Sequence, residues 1–236
     1  MDVQKKIAPV AVKVCGVTLA ADVDACLQRR LAYVGFNFYS GSKRYITPPA
    51  AASLWAAAMA GQPAAALATI PVGVVVGAGI AEVARLLADF PALGVLQVHG
   101  PKLVTSTYLR QLRQATGARQ LWLAWPVATR QDVLAAAALA ADADLLLFDS
   151  KHVPQGATVP GGSGMVFDWS VLKAYPAGLP FGVAGGLQAN NLSALAASLA
   201  PVRPALIDLC SGVERAPGQK ELALIDTVLG VVGEVW

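Results

Sequence analysis

Three short runs of β-type residues end in side chains that move protons. "VKVC" ends in Cys15 before Gly16, "LQVH" ends in His99 before Gly100, and "LLLFD" ends in Asp149 before Ser150. A fourth run, "LIDLC", carries Asp208 two residues before Cys210. A thiolate is a base, and the free thiol pKa of about 8.5 lies within a small shift of neutrality. A carboxyl group at the end of an apolar strand can have a raised pKa and serve as an acid. The chemistry on offer is therefore general acid–base catalysis with neither metal nor cofactor. Each residue also has a plainer use. Cys15 suits a buried core position, Asp149 a turn or helix cap, and His99 a packed hydrogen-bonded site. Asp208 can orient a ligand or a neighbouring loop.

Strand alternation groups these residues. Lys13 shares a face with Cys15; Val95 and Gln97 share one with His99; Leu145 and Leu147 with Asp149; Leu206 and Asp208 with Cys210. Lys13, one layer below Cys15, would favour the thiolate if charged and near, and a downward shift of about one or two units would make Cys15 a workable base near neutral pH. Three glycine clusters follow later strands. Gly161, Gly162, Ser163 and Gly164 lie in "PGGSGMVFDW", Gly185 and Gly186 in "VAGGL", and Ser211 and Gly212 in "CSGVE". Glycine lets backbone N–H groups approach an anion, so clusters on adjacent loops predict a phosphate pocket. Arg44, in "GSKRYITP", is either a solvated loop charge or a planar fork for a carboxylate.

Positioning these groups requires a particular scaffold. Short β-like runs alternate with longer helix-like runs eight times, from "PVAVKVCG" and "ADVDACLQRRLA" to "PALIDLCSG" and "KELALIDTVLGVV". Eight such units in 236 residues predict an α/β fold, a (β/α)8 TIM barrel forming one domain over residues 1–236. In that architecture the active site lies at the C-terminal strand ends, and a phosphate site recurs after strands seven and eight. An open dinucleotide-binding sheet is the rival. Its fingerprint is missing, and Gly73, Gly77 and Gly79 in "VGVVVGAGIAEVA" have the wrong spacing.

Composition narrows the classes further. The chain is 56% hydrophobic and 14% charged, enough for a large core, and its mean hydropathy is +0.54. The apolar residues come in short runs, and none reaches the length of about 18 that a membrane span needs. Net charge is +3 and Arg29-Arg30 is the sole adjacent arginine pair, which argues against nucleic acid and suits a small anionic ligand. Three cysteines without a CxxC pair argue against a disulfide scaffold or a structural zinc site. The N-terminus "MDVQKKIAPVAV" has no secretory pattern, so a cytoplasmic location is expected.

Taken together, the segments "VKVCGVT", "GFNFYSGSKRYITP", "LQVHG", "LLFDS", "GGSGMVFDW", "VAGGLQANN" and "SGVERAPGQK" resemble the phosphoribosylanthranilate isomerase family, in order and along the whole chain. The resemblance implies an Amadori rearrangement of an aminoribose phosphate to an aminodeoxyribulose phosphate, within tryptophan biosynthesis. It implies Cys15 as general base, Asp149 as general acid and Arg44 as the reader of the anthranilate carboxylate. His99 and Asp208 would lie at the substrate. Gly162, Ser163, Gly164, Gly185, Gly186, Ser211 and Gly212 would hold the phosphate. No metal and no cofactor are implied, the partner is a small phosphorylated substrate, and the protein would be a monomer or homodimer. Departures from the family pattern fall at Pro101-Lys102, at Cys210 where a serine is usual, and in "LWLAWPV", where Trp122 and Trp125 are expected to narrow the barrel mouth. They leave two alternatives: a related isomerase of another phosphorylated aminosugar, or a non-catalytic sugar-phosphate binder.

Overall fold

The structure is a computed structural model that describes residues 9–60, 62, 68–100, 104–117, 119–150, 167–176 and 178–236. Eight strands alternate in the sequence with helical segments. They are β1 (Ala11–Cys15), β2 (Tyr33–Asn37), β3 (Ile70–Val76), β4 (Val95–His99), β5 (Gln120–Val127), β6 (Leu145–Ser150), β7 (Phe181–Val183) and β8 (Leu206–Leu209). Each pairs in parallel with the next, and β1 closes on β8 through Lys13 opposite Asp208 and Val14 opposite Leu209. The predicted barrel is the observed one.

Closure follows from the period of two. Val12, Val14, Val34, Phe36, Leu96, Val98, Leu121, Leu123, Leu146, Phe148, Ile207 and Leu209 face the helices and form the outer core. The alternate residues Val72, Val95, Trp122, Ala124, Leu145, Leu147, Ala184 and Leu206 fill the interior. Both faces are apolar, so the strands have no solvated side and need helices all round.

The helices are α1 (Ala20–Gln28), α2 (Pro48–Met59), α3 (Ile80–Asp89), α4 (Ser106–Thr116), α5 (Arg130–Ala137), α6 (Ala189–Leu199) and α7 (Leu222–Val235). Pro48 and Pro49 open α2 behind a Thr47 cap, as proline's fixed φ allows. Thr129 and Asp132 cap each other's backbone at the start of α5.

Two expectations change. The run "DWSVLKAYP" predicts a helix, and the chain makes a tighter 3-10 segment at Trp169–Ala174 instead. Asp168 caps it, and Trp169 and Leu172 are both buried, three residues apart as that geometry stacks them. Between β8 and α7 an extra antiparallel hairpin appears, β9 (Glu214–Ala216) and β10 (Gln219–Lys220). Among the described residues no helix is long and apolar enough to cross a membrane.

Candidate active site

Cys15 ends β1 with its side chain turned into the barrel and only 8% of its surface exposed. The neighbouring strand makes room for it with Gly35. A Cβ there would stand 2.9 Å from the Cys15 sulfur and 3.0 Å from Cε of Lys13, closer than real contacts allow. Lys13 is fully buried, and its ammonium donates to Oδ2 of Asp208 at 2.7 Å. Burial pulls Lys13 down, yet Asp208 and Cys15 outweigh it and hold the ammonium well above its ordinary range. Burial pushes Asp208 up, with Lys13 opposing. The pair is a buried ion pair on the β1–β8 wall.

The net lowering of the thiol pKa that would make Cys15 a ready base is not found, although Lys13 acts in that direction. Burial pushes the thiol up; Lys13 pulls it down and Asp208 adds to the rise. The pull of Lys13 does not offset the burial of the sulfur. In the unliganded protein Cys15 is a thiol.

Asp149 and His99 stand on the opposite wall. Nε2 of His99 lies 2.9 Å from Oδ2 of Asp149, and the Ser150 backbone N–H donates to Oδ1 at 2.8 Å. Gly185 comes against this carboxyl group. Its φ is +86°, and a Cβ would lie 2.6 Å from Oδ1 and 2.5 Å from the Ser150 nitrogen, so glycine is required twice over. Asp149 is close enough to Asp208 for its charge to raise the Asp208 carboxyl. The interior thus runs from Cys15 past Lys13 and Asp208 to Asp149 and His99.

The loops beyond β7 and β8 meet above this point. Gly186 also has a positive φ, of 65°, and its carbonyl accepts from Asn191 at 2.9 Å. Ser211 and Gly212 lie in a 3-10 turn, Ser211–Val213, with Gly212 packed on the Leu187 carbonyl. Gly162, Ser163 and Gly164, and likewise Pro101 and Lys102, lie outside the described residues.

Arg44 lies beside the mouth, across Gly16, in a more engaged state than its sequence suggests. Its Nε donates to Glu214 Oε1 and Oε2 at 2.9 and 3.1 Å, and its Nη2 to Oε2 at 2.6 Å. The Glu214 bonds raise the guanidinium pKa, against burial, and the Arg44 charge reaches both Cys15 and Cys210. Lys220 donates to Glu214 Oε1 at 2.7 Å and to the Cys15 carbonyl. Burial alone would raise Glu214, but Arg44 and Lys220 hold it below its ordinary value. The sequence reading gave no role to Glu214 or Lys220. The available signal was the turn pair Pro217-Gly218 between them.

The other departures settle differently from expectation. Trp122 is 1% exposed and fills the barrel floor, edge-on to Tyr33 at 4.7 Å, with Nε1 donating to Gln120. Trp125 points outward and packs on the outer core. Neither narrows the mouth, because alternation turns Trp125 out and Trp122 lies near the N-terminal end of β5. Cys210 follows β8 beside Cys15, and burial pushes its thiol up to about 12.

Comparison with known proteins decides what this arrangement belongs to. The family model described as N-(5'phosphoribosyl)anthranilate (PRA) isomerase matches residues 12–230. The chain belongs to the phosphoribosylanthranilate isomerase family. A family member from Rhodopseudomonas palustris (strain BisA53) is 37% identical over 217 residues, covering 92% of this chain and 93% of that one. A Caulobacter sp. (strain K31) member is 37% identical over 227 residues, 96% of this chain and 100% of the other. Both carry the name N-(5'-phosphoribosyl)anthranilate isomerase. Among solved structures, the phosphoribosyl anthranilate isomerase from Thermus thermophilus superposes with a TM-score of 0.76 at 27% identity, covering 96% of this chain and all of that one. A Thermotoga maritima enzyme, described as dimeric and studied as generated monomers, gives 0.74 at 25% identity, with 95% and 99% covered.

Proposed function

We propose that this protein is itself a phosphoribosylanthranilate isomerase, an aldose–ketose isomerase of tryptophan biosynthesis. It would convert N-(5-phosphoribosyl)anthranilate to 1-(2-carboxyphenylamino)-1-deoxyribulose 5-phosphate. The observation that carries this reading is the family match over residues 12–230. The inward-facing thiol and carboxyl group support it chemically.

Asp149 is the proposed general acid. Its Oδ1 is engaged by a backbone N–H, so the transferable proton belongs on Oδ2, the oxygen facing His99. Donating it to the furanose ring oxygen opens the ring and leaves a cationic imine. Cys15 then takes the C2′ proton, giving the enolamine that tautomerises to the ketose. Burial disfavours the thiolate beforehand; Lys13 and the cationic imine oppose that cost at the moment the thiolate is needed. Each proton transfer is worth about 10²–10⁴-fold in rate.

The rest of the site serves binding. Arg44 has one edge on Glu214 and, among the described residues, keeps both Nη1 hydrogens and one on Nη2, a second fork for the anthranilate carboxylate. Gly185, Gly186, Ser211 and Gly212, with Gly162, Ser163 and Gly164, form the proposed phosphate pocket. His99 and Asp208 line the sugar. The protein acts as a monomer or homodimer in the cytoplasm, with one barrel domain carrying the activity.

Purified protein mixed with phosphoribosylanthranilate is expected to extinguish its anthranilate-type fluorescence as product forms. Folded protein that leaves the fluorescence unchanged refutes this reading.

A further inference from the structure

The hairpin between β8 and α7 is short, yet it holds buried charges that the reaction does not consume. Glu214 is 4% exposed, and Lys220 has no exposed side-chain surface. Glu214 accepts from Arg44 through both oxygens, from the Lys220 ammonium, and from the Gly218 N–H at 3.1 Å. Lys220 also donates to the Cys15 carbonyl, and its backbone N–H donates to Asp22 Oδ2 at 3.1 Å. Thr18 donates to the Gly218 carbonyl at 2.8 Å, so the hairpin tip is tied to the loop that follows Cys15. Two cations, Arg44 and Lys220, and through Lys220 the end of β1 are thereby fixed to one carboxylate.

We infer that Glu214 and Lys220 are positioning residues that couple the carboxylate-reading Arg44 to the backbone of Cys15. Glu214 takes one edge of the guanidinium and turns the remaining edge to the substrate's aromatic carboxylate. Lys220 neutralises the surplus charge on Glu214 and anchors the peptide that carries the sulfur. Without the Glu214 charge, two buried cations face each other, and Arg44 is driven from the orientation in which its free edge is presented. A carboxylate-bearing substrate thus engages a fork already held in register with the base. This inference rests on the proposed role of Arg44.

The test uses two unreactive product analogues, aryl-amino-deoxyribitol phosphates with and without the ring carboxylate, titrated into the full-length protein. Arg44→Ala and Glu214→Gln are each expected to weaken the carboxylated analogue about ten- to hundredfold, the worth of a charged hydrogen bond, while the other analogue keeps its affinity. Lys220→Met is expected to lower kcat more than it raises KM. Should Glu214→Gln not fold, as judged by circular dichroism, Glu214→Asp carries the test. It keeps the charge, cannot span the fork, and is expected to show the same selectivity to a smaller degree. If Arg44→Ala fails to discriminate between the analogues, the carboxylate reading itself falls, and this inference with it. If Arg44→Ala discriminates and the Glu214 variant weakens both analogues equally, the coupling alone is overturned and Glu214 is merely structural.

Discussion

On the wall formed by β1 and β8, the barrel interior holds Lys13, Asp208 and Cys15; across from it, β4 to β6 present Val95, Gln97, Trp122, Ala124, Leu145 and Leu147, with His99 and Asp149 at the rim. The first wall carries a buried ion pair above Ala11 and Leu206; among the described residues the second holds no charged side chain below His99 and Asp149, though Gln97 is buried in it. The proposed base, Cys15, stands on the wall with a resident cation, Lys13. The proposed acid, Asp149, stands above mostly apolar side chains, with His99 beside it. The contrast puts the two proposed proton-transfer groups in different surroundings within a single cavity.

The largest way to break this comparison is at the apolar wall's rim. Asp149→Asn preserves shape and removes the transferable proton. Its kcat is expected to fall about 10²–10⁴-fold, with product-analogue affinity retained. Steady-state fluorescence assays and titration check this, and a loss confined to affinity would return Asp149 to a binding role.

The ionic wall answers in stability. Lys13→Met leaves Asp208 buried without its partner and is expected to cost about 3–5 kcal/mol by urea denaturation. Pairing it with Asp208→Leu is expected to recover most of that loss, because the unpaired charge goes with the second substitution.

The Glu214 clamp gives a pH signature. Arg44 and Lys220 hold its folded pKa below the ordinary 4.5, so its contribution is complete above that value and fades as pH falls through the folded one. The stability gap between wild type and Glu214→Gln is therefore expected to be widest above pH 4.5 and to shrink in acid. A gap that grows on acidification would contradict the assignment.

The smallest effect belongs to the floor. Trp122→Phe keeps the filling and loses one hydrogen bond to Gln120, an expected cost of about 1 kcal/mol. KM is expected to stay unchanged; a shift in KM would put Trp122 back at the mouth.

Much of this was legible beforehand, for identifiable reasons. Alternation in "VKVC", "LQVH", "LLLFD" and "LIDLC" correctly paired Lys13 with Cys15 and turned Asp208 into the barrel, because burial of both strand faces specifies the register. The same rule places Trp122 inside and Trp125 outside, though their bulk alone had suggested a narrowed mouth. The sign of the Cys15 shift was not legible. It depends on how deeply barrel closure buries the sulfur, with Asp208, 195 residues from Lys13 in sequence, adding to the rise. The Arg44–Glu214 fork spans 170 residues and is likewise a product of barrel closure. The β9–β10 hairpin was marked only by Pro217-Gly218, which reads as a turn but does not say what the turn grips.

The central claim is that Cys15 and Asp149 divide the two proton transfers between opposite walls of one cavity. Turnover by Cys15→Ala, measured beside its affinity for the carboxylated product analogue, tests it most directly. The account predicts a loss of about 10²–10⁴-fold in kcat with affinity unchanged. A variant that turns over as fast as the wild type would contradict it.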